Sequence, residues 1–128
     1  MNVSLWAQLD SNEIDIKTLK KKRTTAIFEH IGAAVDADAF AHQYLDQLST
    51  CDFLLPGVSE TLDQIAEHCD MMIITNGLSQ VQQPRLKTSS IKDHFKHLAI
   101  SEELGHAKPA KEIFNHSFDL MGGQADKY

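Results

Sequence analysis

One segment constrains this chain more than any other: Met71-Met72-Ile73-Ile74-Thr75-Asn76-Gly77, an apolar run that stops on a hydroxyl, an amide and a glycine. Four apolar residues without polar alternation suit a strand covered on both faces, as in parallel sheets with helices on each side. Open α/β sheets bind ligands beyond the carboxyl ends of such strands, so Thr75 and Asn76 stand where chemistry is expected. Gly77 permits a positive φ or a close backbone approach. Residues 78–89 read as a helix whose free N–H groups can face an anion, with phosphate the natural guest. The plain alternative is a strand ending in ordinary turn residues, and the rest of the chain must decide.

The 128 residues are enough for a single core, and 42% hydrophobic with 23% charged residues is the balance of a globular protein. A formal net charge of −6 argues against a nucleic-acid polymer or a membrane surface as partner. The basic cluster Lys20-Lys21-Lys22-Arg23 sits inside a helical pattern and reads as a solvated face, with guidance of an anionic substrate as the alternative. Cys51 and Cys69 lack metal-site or disulfide spacing, so reduced thiols and a cytoplasmic location are expected. No apolar run approaches the roughly 20 residues of a membrane helix, and the first residues do not have the pattern of a signal peptide.

The first fifty residues read as helices. Leu5, Trp6 and Leu9 share one face, and Asp10-Ser11-Asn12 interrupts them with turn formers. Asp15 is a candidate N-cap for a helix through Leu19, Arg23, Ala26 and Ile27 to Gly32, which suits a left-handed C′ position. A third helix begins near Asp36, and its stripe Phe40, Tyr44, Leu48 is expected to pack on the other two. Leu54-Leu55-Pro56-Gly57 then acts as a hinge or re-entry point. Beyond it the pattern alternates: a helix marked by Val58, Leu62, Ile65 and Ala66, a strand 71–75, and a helix with Val81 and Leu86. Pro84 within that helix calls for an early position or a kink. A strand 97–100, a loop 101–105 and a helix 111–121 bearing Ile113, Phe114, Phe118 and Met121 follow. Such alternation predicts an α/β fold with a doubly wound parallel sheet, preceded by a helical domain.

The second candidate element is the loop Gly105-His106-Ala107-Lys108-Pro109. A lysine before proline is kept out of the next helix, and its ammonium can supply charge-assisted hydrogen bonds to a phosphate. A strand ending Thr-Asn-Gly followed by a strand leading to Gly-x-x-Lys-Pro resembles motifs two and three of the haloacid dehalogenase-like (HAD) hydrolases. The likeness covers nearly all the chain, most specifically at Gln82–Leu86 and Ile100–Pro109, and is nearest to the pyrimidine 5′-nucleotidases acting on non-canonical nucleoside monophosphates.

That resemblance implies a partial HAD-like, Rossmann-like core over residues 53–128 and a helical cap over 1–52. It implies a phosphomonoester hydrolase working through an aspartyl-phosphate, with a nucleoside monophosphate as substrate and Mg2+ as cofactor. Thr75 would donate its hydroxyl to a phosphoryl oxygen, and Asn76 would add a backbone or amide donor, with Gly77 beside it. Lys108 would bridge phosphate and the nucleophilic carboxylate. Trp6, Phe40 and Tyr44 read as core ahead of base-stacking groups. Glu102 and Glu103 read as solvated or helix-capping ahead of an acid–base pair or metal site. Other substrate classes of the same family, or a non-catalytic phosphate-binding module, are the alternatives.

Family members attack phosphorus with the first aspartate of an Asp-x-Asp motif at the end of a strand. Asp36-Ala37-Asp38 has those letters, but no apolar strand leads into it, and capping is the better reading. The final acidic motif that holds magnesium is not found before the chain stops at Asp126-Lys127-Tyr128. The sequence is therefore expected to be an internal piece lacking the nucleophile and the metal ligands, inactive alone, with an open edge on the 71–75 strand.

Overall fold

The computed structural model describes residues 2–11 and 13–123; Asn12 and the terminal Asp126-Lys127-Tyr128 lie outside the described residues. Contacts divide the chain into two compact units, one up to Gln47 and one from Leu48.

The first unit is helical: α1 (Asn2–Asp10), α2 (Ile16–Ile31) and α3 (Ala37–Ser49), whose last turn enters the second unit. Local chemistry sets the helix ends. Asp15 accepts the Thr18 N–H at 2.7 Å, and Gly32 closes α2 at φ 66°, where a side chain would be strained. Asp36 Oδ1 accepts from both Asp38 and Ala39 N–H at 3.0 Å, so Asp36-Ala37-Asp38 is a helix cap. Leu5, Leu19, Ala41 and Leu45 are buried. The stripe expected to face inward lies one position off: Phe40 and Tyr44 are each 41% exposed, and Ile27 is exposed as well. Phe40 still meets Phe28 edge-on at 5.0 Å and stacks on Tyr44 at 6.4 Å, while the Arg23 guanidinium lies 4.9 Å over the Tyr44 ring. The aromatics therefore form the rim of the helical pack, with smaller side chains at its centre.

The second unit is α/β. After α4 (Val58–Ala66) come β1 (Met71–Thr75), α5 (Ser79–Thr88), a 3-10 turn at Lys92–His94, β2 (Phe95–Ile100), α6 (Ser101–Leu104) and α7 (Lys111–Leu120). The strands run parallel, with Met72 opposite His97 and Thr75 opposite Ile100, and a register shift between Met71 and Met72. The parallel pairing matches the α/β expectation, within a sheet of two strands among the described residues.

Three details differ from the sequence reading. β2 begins at Phe95, two residues early. Residues 101–104, expected as loop, form one helical turn that ends on Gly105 at φ 73°. Every residue of β1 is only half-buried, because a strand with one neighbour is not covered as a central strand is. The core lies instead around Ala99, Ile100 and Ile113, with Leu78 and Val81 buried on the α5 side. Pro84 is the sixth residue of α5, past the early position its missing N–H favours.

Candidate functional site

β1 ends at Thr75, and the chain turns at once through Asn76, Gly77 and Leu78 into α5. The turn is closed by side chains. Thr75 Oγ1 accepts the Gly77 N–H at 3.0 Å, which engages that N–H and leaves the hydroxyl hydrogen available to an acceptor. Gly77 meets a close approach here: a Cβ would lie 2.3 Å from Gln82 Nε2 and 2.8 Å from its Cγ, so the Gln82 side chain would have to move. Its φ is not in the left-handed region, so the crowding by Gln82, rather than a positive φ, is what the structure shows at this glycine.

The Lys108 loop comes to the same strand end. Lys108 Nζ donates to the Ile74 carbonyl at 2.8 Å, the peptide immediately before Thr75. Its backbone is held by the Asn76 side chain: Lys108 N–H donates to Oδ1 at 2.8 Å, and Nδ2 donates to Lys108 C=O at 3.0 Å. The Asn76 amide is thus engaged through both Oδ1 and Nδ2, with one Nδ2 hydrogen used on the Lys108 carbonyl and the second left to a further acceptor. Two of the three ammonium N–H bonds have no protein partner among the described residues. The lysine is exposed, and the Lys108–Pro109 peptide bond is cis. Thr75, Asn76, Gly77 and Lys108 are therefore brought together, with the Thr75 hydroxyl, the Lys108 ammonium and the second Asn76 Nδ2 hydrogen among the groups still able to donate.

Two carboxylates fasten the loop from its other end. Glu102 Oε2 accepts the Ser79 N–H at 2.6 Å, the first amide of α5, and Glu103 accepts from Gln83 Nε2. The helix start that the sequence offered to a phosphate is thus occupied, at Ser79, by a carboxylate from α6. Glu102 caps a helix, and Gln82, Gln83 and Ser79 are the supporting residues that sequence reasoning missed. The family likeness at Gln82–Leu86 marked the segment without naming its contacts, and Gln83 finds its partner 20 residues away.

Farther along α5, Arg85 Nε donates to the Cys51 carbonyl at 2.8 Å, and Ser89 Oγ donates to Asp52 Oδ1 at 2.7 Å. Ser90 N–H reaches the other oxygen of Asp52 at 3.2 Å. These bonds fix the extended segment before α4 to the helix that starts at the strand tip.

Magnesium needs several oxygen ligands, and the tip supplies a hydroxyl, an engaged amide and a cation. Among the described residues no three His, Cys, Asp or Glu side chains cluster to hold a metal. The groups at this tip do not by themselves fit the ion. No helix of the described residues is long and apolar enough to cross a membrane.

Comparison with known proteins gives a consistent picture. A family model described as haloacid dehalogenase-like hydrolase matches residues 2–128. The pyrimidine 5′-nucleotidase YjjG of Escherichia coli (strain K12) is 31% identical over 95% of this chain and 53% of its own length. The pyrimidine 5′-nucleotidase PynA of Streptococcus pneumoniae is 32% identical over 85% of the chain and 46% of its own. The HAD-hydrolase YfnB of Bacillus subtilis is 28% identical over 94% of the chain and 52% of its own. A magnesium-bound crystal structure of YfnB superposes with a TM-score of 0.81 over 92% of this chain and 53% of that one. The chain spans about half the length of the curated relatives it matches.

Proposed function

Since the chain belongs to the haloacid dehalogenase-like hydrolases, we propose that its protein is a phosphomonoester hydrolase acting on pyrimidine nucleoside 5′-monophosphates in the cytoplasm. The observation that carries this reading is the lysine ammonium fixed 2.8 Å from the Ile74 carbonyl at the end of β1, beside the Thr75 hydroxyl. A cation and a hydroxyl at one strand end suit the oxygens of a phosphoryl group, and they favour the transition state as its charge shifts. The nucleotide assignment draws on the two nucleotidase relatives at about 30% identity.

In the proposed reaction the first aspartate of an Asp-x-Asp motif attacks phosphorus, and the second aspartate gives its proton to the 5′ oxygen of the leaving nucleoside, to be restored from the water of the next step. Water then cleaves the aspartyl-phosphate to release inorganic phosphate. Thr75 donates its O–H to a phosphoryl oxygen, Asn76 adds a backbone or amide donor, Gly77 keeps the turn tight, and Lys108 bridges phosphate and the attacking carboxylate. Magnesium belongs to the reading through the family and the neighbour. The helical unit, with the segment to residue 52, is read as the cap over the leaving nucleoside.

A second reading, a phosphate-binding module without turnover, is favoured by the tip's chemistry. It presents donors, while the carboxylates of the adjoining turn are engaged with Ser79 and Gln83.

The test uses the protein at the full length its gene encodes, assayed with magnesium on a panel of phosphate esters. Pyrimidine nucleoside monophosphates are expected to turn over best. Hydrolysis of sugar phosphates alone would move the protein to another substrate class, and binding of phosphate without any turnover would favour the module. Lys108→Ala is expected to lower turnover about 10²–10³-fold, the loss of one preorganised donor or about 2.7–4 kcal/mol. Turnover within tenfold of the parent would remove Lys108 from this role.

A further inference from the structure

An asparagine carboxamide places an acceptor oxygen and a donor NH2 side by side in one plane, complementary to the N–H and C=O that a backbone residue presents. In this structure that pair is matched to a single residue: Asn76 Oδ1 takes the Lys108 N–H at 2.8 Å, and Asn76 Nδ2 gives to the Lys108 C=O at 3.0 Å. One such bond would leave the lysine backbone free to rotate about it, whereas two fix both place and orientation. The loop around Lys108 packs little, since Gly105, His106, Lys108 and Pro109 are exposed and Ala107 is only half-buried.

We propose that Asn76 is a positioning residue whose side chain acts through Lys108, holding the lysine's main chain at the strand end so that its ammonium meets the bound phosphate. The inference rests on the reading of Lys108 as the phosphate's cationic partner. It assigns the Asn76 side chain a different task from that of a direct phosphate donor. Two further bonds support it: Glu102 to the Ser79 N–H and Glu103 to Gln83 tie the start of the same loop to α5. The loop is thus fastened to the β1–α5 turn at both ends, with Asn76 at the end that bears the ammonium. A small displacement there is costly, because misplacing a reacting group by about 1 Å loses about a hundredfold in rate.

Alanine at 76 removes both bonds and also the second Nδ2 hydrogen, so the comparison with and without Lys108 is what separates positioning from direct donation. The experiment is a double-mutant cycle on the full-length protein, with kcat and KM measured on p-nitrophenyl phosphate, a phosphomonoester that needs no base recognition. Asn76→Ala is expected to lower kcat about a hundredfold. In a Lys108→Ala background the same substitution is expected to cost less than threefold, because there is no ammonium left to place. Equal losses in both backgrounds would show that the side chain acts independently of the lysine, and would overturn the inference. Loss of activity on Lys108→Ala together with parental activity of Asn76→Ala would also overturn it, leaving the reading of Lys108 intact. Parental activity of Lys108→Ala would instead defeat that reading itself. If alanine at 76 unfolds the protein by melting analysis, the neutral and shorter Asn76→Ser, which cannot make both bonds to Lys108, runs the same cycle with the same expectations.

Discussion

Gly77 is the residue where the turn has least room. A methyl group there would meet Gln82 at Nε2, Cδ and Cγ, all within 2.9 Å, and Gln82 is itself partly buried. Gly77→Ala is therefore expected to destabilise the fold by roughly 1 kcal/mol, because the long side chain can swing only partly aside. The same substitution in a Gln82→Ala background is expected to cost little. Denaturant midpoints for the four variants decide it, and an equal cost in both backgrounds would mean that contact with Gln82 does not govern this position. The sequence could mark the glycine as necessary because the run around it is local. It could not name the obstacle, which is a side chain folded back from the helix. The same limit held for Asn76: its amide was legible as a donor at the strand end, but its partner lies 32 positions on, and only folding brings them together.

Helix ends were readable because a cap is a transaction between neighbours, and Asp15, Gly32 and Asp36 each complete theirs within four residues. Faces were less readable, since periodicity gives a stripe without saying which neighbour covers it; Phe40 and Tyr44 ended at a rim for that reason. Links between elements were invisible, and the clearest is His94 to Asp63. The 3-10 turn before β2 offers His94, whose Nε2 lies 2.8 Å from Asp63 Oδ1 on α4 and whose Nδ1 lies 3.2 Å from the Ile91 carbonyl. Both partners accept, so the ring satisfies both only when it carries two protons. The Asp63 hydrogen bond raises the pKa above the ordinary 6.5, against the opposing effect of desolvation, with smaller help from the Ile91 carbonyl and the Asp93 charge. A raised folded value means that this contribution is whole below about pH 6.5 and is lost as pH climbs through the higher folded value. The thermal midpoint should accordingly fall over that window. His94→Gln should flatten the fall, and added salt should weaken it, because Asp63 is 68% exposed. An unchanged pH profile in His94→Gln would assign the dependence to other groups.

At the scale of the whole molecule, the second unit carries more apolar surface than a two-stranded sheet can cover. β2 lies along one edge of β1, and no described strand lies along the other. Phe53 is 89% exposed and Leu55 76% exposed. These two residues cannot easily turn inward, because the segment that bears them is fixed to α5 through Cys51 O with Arg85 and through Asp52 with Ser89 and Ser90. Covering a phenylalanine or leucine side chain is worth about 1.5–3 kcal/mol, so a surface holding both outward favours any contact that shields it. The 128-residue chain by itself is expected to associate as its concentration rises, visible as a shift to larger species in sedimentation velocity. If the pinned segment is the cause, Phe53→Ser with Leu55→Ser should restore a single small species without disturbing β1, and an additional Asp52→Ala should change little. If the open strand edge is the cause, the double substitution should leave association intact while a lysine at Met71 or Ile73 suppresses it. A chain that sediments as a monomer at every concentration would show that neither surface drives contact, and that the half-buried state of β1 is stable in water.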